Sequence, residues 1–182
     1  MITFHEALKT VKHATRKLEK EYIDISGCLN RVLAEDVRSG VSIPPFNKSA
    51  MDGYACRLED LSDELEVIEV IAAGVAPSKK IESKQCSKIM TGAMVPEGAN
   101  TVIMIEHTET LDNNRIRFTK KNTKSNICIK GEDIQENDIV LKKGTRLKSQ
   151  HISVLATIGC TNPLVYKKPR IATFATGNEL VE

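Results

Sequence analysis

Apolar residues recur at helical spacing at the start of the chain. Ala7, Leu8, Val11, Ala14 or Thr15, and Leu18 share one face, and Thr3 followed by Glu6 fits a capping box, which predicts a helix over residues 3–20. Tyr22 to Ile25 reads as a short strand, and Ser26 as the cap of a second short helix carrying Leu29, Val32 and Leu33 inward. Pro44 and Pro45 interrupt this pattern, because neither donates a backbone hydrogen bond and each fixes its φ, so a new structural unit is expected. Beyond it come short β-branched runs at Glu66–Ile71, Lys88–Met90, Thr101–Glu106 and Arg115–Thr119, with Asp112-Asn113-Asn114 as the hairpin turn between the last two. Helical spacing returns where Ser149 can cap a helix with Ile152, Leu155 and Ala156 inward and Gly159 as its stop. Strands are then expected at Leu164–Tyr166 and Ile171–Ala175. The second leads into Thr176-Gly177-Asn178-Glu179 like the opening of an α/β domain.

These elements predict an α+β fold. Residues 1–43 with 138–168 form a helical and strand domain, 44–137 a mostly-β insertion, and 169–182 the start of a third, α/β domain. A lone opening strand has no sheet to join, so the chain reads as the front part of a longer polypeptide.

Composition narrows the function classes. With 41% hydrophobic and 27% charged residues, the 182-residue chain has the make-up of a folded, water-soluble protein. The 26 basic and 24 acidic residues nearly cancel, so no whole-molecule field draws it to nucleic acid or an anionic membrane. Aromatics are only 4%, which leaves few stacking platforms for single-stranded bases. The local basic cluster Arg115, Arg117, Lys120, Lys121, Lys124 and Lys130 carries a weaker nucleic-acid reading beside that of a solvated face. The five cysteines include no CxxC pair, which suits reduced thiols and a cytoplasmic location. Apolar runs such as Val102–Ile105 are far short of a membrane span, and the N-terminus lacks signal-peptide character. His5, His13, His107 and His151 have no metal-ligand spacing, and Ser49 and Ser153 lack the nucleophile-elbow pattern. Glu132 and Asp133 are adjacent, so in a strand they would face opposite ways and make no acid/base pair.

Four segments share another design, an oxygen-bearing side chain beside glycine: Ser49–Tyr54, Met90–Ala93, Gly131–Asp133 and Thr176–Glu179. Glycine permits a sharp turn or a close backbone approach, while the neighbouring oxygens can point into a cleft. Such oxygens suit Mg²⁺, which takes one or two carboxylates, waters and substrate phosphates. Singly, each segment also reads as an ordinary turn.

Taken in order, the strings Ile43-Pro44-Pro45-Phe46-Asn47-Lys48-Ser49-Ala50-Met51-Asp52-Gly53-Tyr54-Ala55, Ile89–Ala99, Gly131–Ile134, and Pro169–Ala172 with Thr176–Leu180 resemble the MoeA-type molybdopterin molybdenumtransferases, the family of the gephyrin E domain. The resemblance spans essentially the whole chain. It implies molybdenum cofactor biosynthesis, in which molybdate is inserted into adenylylated molybdopterin with Mg²⁺-dependent release of AMP. It also implies an elongated N-terminal dimerisation domain, a homodimer, and a site shared between subunits. A molybdopterin adenylyltransferase is a candidate partner.

On this resemblance Asp52, Thr91, Asp133 and Glu179 take the functional positions, and Asp52 and Glu179 would hold Mg²⁺. Ser49, Gly53, Gly92 and Gly177 would line the substrate site. The chain departs from the family pattern at Asn47, Lys48 and Asn178, and at Asn126-Ile127-Cys128-Ile129-Lys130, where the family carries more arginine. The alternative reading is a noncatalytic dimerisation or scaffold module of a gephyrin-like protein.

Overall fold

The computed structural model describes residues 2–112, 114–172 and 174. The elements in order are α1 (Phe4–Ala14), β1 (Lys20–Tyr22), β2 (Val37–Arg38), β3 (Lys48–Ser49), β4 (Gly53–Cys56), β5 (Glu64–Ile71), β6 (Gln85–Ile89), β7 (Thr101–Met104), β8 (Thr108–Leu111), β9 (Arg115–Phe118), β10 (Ile127–Cys128), β11 (Ile139–Leu141), α2 (Ser149–Thr157) and β12 (Leu164–Tyr166). Helix and sheet are thus mixed, as an α+β fold requires. The chain divides into two compact units, Met1–Gly40 with Ile139–Glu182, and Val41–Asp138.

In the first unit, α1 opens on the expected capping box. The Thr3 hydroxyl accepts the Glu6 N–H at 3.3 Å and the Glu6 carboxylate accepts the Thr3 N–H at 2.8 Å. The helix stops at Ala14 rather than near residue 20. Thr15 turns extended and its hydroxyl donates to the Lys12 carbonyl at 2.6 Å, while Lys20 is already paired with Tyr166 in the antiparallel β1–β12 ribbon. None of the α1 residues is buried, and Phe4 (75% exposed) and Val11 (62%) stand on its apolar face in solvent.

The second short helix expected after Ser26 is absent. A single 3₁₀ turn, Ile25–Gly27, is capped by Asp24, whose carboxylate accepts the Ser26 N–H at 2.9 Å. Asn30 then takes a left-handed φ of 65°, and the chain runs extended. Leu33 donates its N–H to Thr145 at 3.0 Å, and Arg31 accepts from Leu147 at 2.8 Å. These long-range backbone bonds override local helix propensity. Leu33 is fully buried, whereas Leu29 stays 51% exposed.

Strand β2 pairs antiparallel with β11. Helix α2 follows, with Lys148 rather than Ser149 at its cap, the Lys148 N–H donating to His151 Nδ1 at 3.1 Å. Leu155 is its buried anchor, Ile152 is half-buried and Ala156 is exposed, and Ile158 past the helix end takes the inward place expected for Ala156. Gly159 at φ 74° ends the turn. The strand expected at Ile171–Ala175 and the turn Thr176–Glu179 lie largely outside the described residues. Ile171, Ala172 and Phe174, which are described, are not in a strand.

The second unit is built on a six-stranded sheet of order β7-β4-β6-β5-β9-β8, in which β5 and β6 run parallel and the other neighbours antiparallel. Side-chain alternation sends Tyr54, Cys56, Leu65, Cys86, Ile103, Ile116 and Phe118 into one apolar cluster. The opposite face gathers Ala55, Ile71, Ile89, Ala93 and Val102. All four residues of β4 are therefore buried. The Thr101–Glu106 run is a strand only to Met104, followed by a 3₁₀ turn at Ile105–His107. The strand that completes the hairpin with β9 is the polar edge strand β8, with Leu111 opposite Arg115 and Asn114 at φ 60° in the turn.

Candidate active site

A long antiparallel ladder in the second unit carries two of the sequence-predicted site residues, Ser49 and Asp133. It begins where Ile43 exchanges backbone bonds with Ile134, continues through Gly131 N–H to Pro44 and β3 against β10, and ends where Ala50 donates to Asn126 at 2.9 Å. Beyond that end the chain turns through Met51 and Asp52 into β4. The Ser49 hydroxyl, buried with its residue, donates to the Met51 carbonyl at 2.6 Å and so holds the turn from inside.

Gly53 follows at once, between β6 and β7. A Cβ built there would lie 1.9 Å from the Ile103 carbonyl oxygen, so only glycine lets the strand pass this close. The loop after β6 rises beside the same turn. Gly92, at φ 81°, donates to the Ser49 carbonyl at 2.8 Å, and Ser49 donates to Ala93 at 2.9 Å. Two glycine corners distant in sequence are thereby fastened edge to edge.

Asp52 and Thr91 meet at this junction. The Thr91 N–H and the Thr91 hydroxyl both donate to Asp52 Oδ1, each at 2.7 Å. The backbone bond first and the hydroxyl bond second hold the Asp52 carboxyl below its ordinary 3.8, so it is ionised at neutral pH. Oδ2 makes no hydrogen bond among the described residues, and Asp52 is exposed.

Among the described residues no group of three or more His, Cys, Asp or Glu gathers into a metal cage. That pattern still fits Mg²⁺ chemistry. Mg²⁺ keeps most of its waters and takes one or two carboxylates plus substrate phosphates, and Asp52 presents one oriented, ionised carboxylate with a free oxygen.

Asp133 sits at the far end of the ladder. Its N–H donates to Ile43 at 3.0 Å, its side chain is exposed, and no hydrogen bond links it to Asp52 or Thr91. Glu132 folds back to accept the Ile129 N–H at 2.9 Å. Gly131, at φ 74°, makes the corner between them. Gly177 and Glu179 lie outside the described residues.

Asn47, one of the departures from the family pattern, is exposed, and it ties the ladder by accepting the Lys130 N–H at 2.8 Å. Asn126 is a site-building residue that motif reading gives no functional weight. At φ 50° it holds Ala50 through its carbonyl and donates its Nδ2 to Val102 at 2.8 Å. The only sequence signal for it is asparagine's tolerance of left-handed backbone, which several other asparagines share. The basic cluster at 115–130 is partly spent, since Arg115 and Arg117 both pair with Glu64, at 3.6 and 2.6 Å. Among the described residues no helix is long and apolar enough to cross a membrane.

Comparison with known proteins gives one consistent result. The family described as the MoeA N-terminal region (domain I and II) matches residues 2–159. Molybdopterin molybdenumtransferase of Staphylococcus epidermidis is 41% identical over 189 residues, covering 95% of this chain and 45% of that protein. The Bacillus subtilis protein of the same name is 36% identical over 191 residues, covering 99% and 44%. A crystal structure of molybdopterin biosynthesis moeA protein from Pyrococcus horikoshii superposes with a TM-score of 0.85 at 33% identity, over 93% of this chain and 47% of that one. The chain thus spans about half the length of the relatives it matches.

Proposed function

The chain belongs to the MoeA N-terminal region family, and from that premise we propose that it provides the N-terminal part of a molybdopterin molybdenumtransferase, acting in insertion of molybdate into adenylylated molybdopterin with release of AMP. The observation that carries this reading is the double hydrogen bond from Thr91 to one oxygen of Asp52, which leaves the other oxygen free and ionised beside two glycine corners. The names borne by the relatives supply the substrate class.

In this reading Thr91 fixes the Asp52 carboxylate, and Asp52 Oδ2 is the chain's point of attachment for Mg²⁺, with Glu179 of a second copy of the chain as the other ligand of a site shared between subunits. Bound Mg²⁺ would neutralise charge on the phosphates of the adenylylated substrate as AMP departs. Thr91 restrains the Asp52 carboxylate and favours its ionised form. Gly53 and Gly92 keep bulk away from the corner, Ser49 stiffens the turn beneath it, and Asp133 anchors the far end of the ladder. The exposed apolar face of α1, with Phe4, Leu8 and Val11, supports association with a second copy of the chain.

The test uses the complete polypeptide with adenylylated molybdopterin, molybdate and Mg²⁺, following AMP release. Asp52→Ala lowers the rate about 100-fold or more and Thr91→Val about tenfold, with folding intact by circular dichroism. Wild-type rates in both variants would refute the catalytic reading and favour the scaffold module.

A further inference from the structure

The first unit contains a cavity of roughly 520 Å³ that the transferase reading leaves without a role. It is bordered by the segment after α1, by the Asn30–Val32 stretch, by Lys143–Gly144 and by the chain leaving β12. Six basic residues line it, Arg16, Lys17, Arg31, Lys143, Lys167 and Lys168, in a protein whose net charge is only +2. Lys167 is neutralised by Glu19 at 2.7 Å, and Arg31 is ion-paired with Glu21. Arg16, Lys17, Lys143 and Lys168 form no ion pair among the described residues.

Arg31 is the fixed element. It is 8% exposed, and its Nη2 donates to Glu21 and, at 2.8 Å, to the Tyr166 carbonyl. Those two bonds lock the guanidinium in place, yet its Nε is enclosed with no acceptor. The enclosed Nε is out of a ligand's reach, whereas Nη1 makes no hydrogen bond among the described residues and is the donor that a ligand oxygen in the cavity can take up. A pinned guanidinium flanked by unneutralised lysines selects carboxylate or phosphate. Leu18, Val32 and Pro169 contribute apolar wall, which a bare inorganic ion would not use. The volume falls within the range of about 300–1,000 Å³ common to small-molecule sites.

We propose that this cavity binds a small organic anion, an apolar or aromatic body carrying one phosphate or carboxylate group held by Arg31 and the surrounding lysines. The site is formed by the first unit alone and does not depend on the function assigned to Asp52 and Thr91.

The test is titration of the full chain with phenyl phosphate, benzoate and inorganic phosphate, read by calorimetry and by the arginine Nε–H resonances in NMR. The expected result is saturable binding of at least one aryl anion with a shift of the Arg31 Nε–H signal. Affinity should fall about tenfold or more in Lys143→Glu/Lys168→Glu, two exposed side chains whose loss leaves the fold intact. Tighter binding of phenyl phosphate identifies a phosphate ligand, and tighter binding of benzoate a carboxylate. The proposal is overturned if neither aryl anion saturates by about 10 mM, if inorganic phosphate binds as tightly as both, or if the double variant binds unchanged. The milder Lys143→Gln, predicted to weaken binding in the same direction, replaces the double variant if that one fails to fold.

Discussion

Thr91 places both of its donors, amide and hydroxyl, on a single oxygen of Asp52, and each bond is 2.7 Å long. The carboxyl is thereby held below its ordinary 3.8. Because the folded-state value is depressed, the stabilisation is complete above the unfolded value and is lost as pH falls through the lower folded value. Carbon-detected NMR titration of the Asp52 carboxyl should give a midpoint below 3.8 in the native protein. Thr91→Val keeps the amide bond and removes the hydroxyl, so it should raise that midpoint only part of the way. A midpoint indifferent to Thr91→Val would mean that the hydroxyl bond is not made in solution.

Gly53 is predicted to be the least replaceable glycine of the Asp52 corner. Its backbone pairs with Ile89 on one side and Met104 on the other, and an added Cβ would collide with the Ile103 carbonyl, which belongs to the sheet itself and cannot step aside. Gly53→Ala should therefore cost more than about 3 kcal/mol in urea denaturation. Gly92 has open space at its Cβ and is constrained only by φ 81°, so Gly92→Ala should cost about 1–2 kcal/mol. Equal losses at the two positions would contradict this difference in cause.

The contrast between Asp52 and Leu33 shows what can be read from the sequence. Asp52, Thr91 and their glycines stand out locally, as oxygen beside a residue that permits sharp turns. Their mutual hydrogen bonds do not, since they span 39 positions of chain. The start of α1 is legible because Thr3 and Glu6 act within one helical turn, whereas its end is not, because Lys20 answers to Tyr166. Leu33 fits a helical face locally, yet Thr145 and Val165 draw it into extended pairing. Strand β8 shows no apolar alternation at all and forms because β9 offers a partner. Asn126 illustrates the same limit within the site, since its role depends on the Ala50 amide and the Val102 carbonyl.

The α1 cap is expected to be acid-sensitive. Bonds from the Thr3 backbone and then the Thr3 hydroxyl hold the Glu6 carboxyl below its ordinary 4.5. Helix support from this cap is therefore complete above 4.5 and disappears as pH falls through the lower folded value. Far-UV circular dichroism should lose helical signal over that window, and Glu6→Gln should flatten the change. Since no α1 residue is buried, the sheet of the second unit should keep its signal meanwhile. An acid transition of equal size in Glu6→Gln would assign the change to other groups.

Cys56 and Cys86 stand directly opposite each other on β4 and β6, and both side chains are fully buried in the Tyr54 cluster. Burial in this apolar surrounding pushes the Cys56 thiol up to about 12, with the nearby carboxylates of Asp60 and Glu59 adding to the effect. Burial raises Cys86 as well, and Cys56 and Glu66 raise it further. Thiolate is the reactive form, so at pH 8 both residues combine a negligible thiolate fraction with no access to reagent. Cys128 and Cys160 are partly exposed and should be modified first by an aromatic disulfide reagent in the native protein. Cys56 and Cys86 should react only as fast as the sheet opens, and at once in denaturant. Mass spectrometry of peptides from a timed labelling series would resolve the order. Early labelling of Cys86 in the native protein would show that the sheet breathes between β4 and β6, where the fold requires it to be closed.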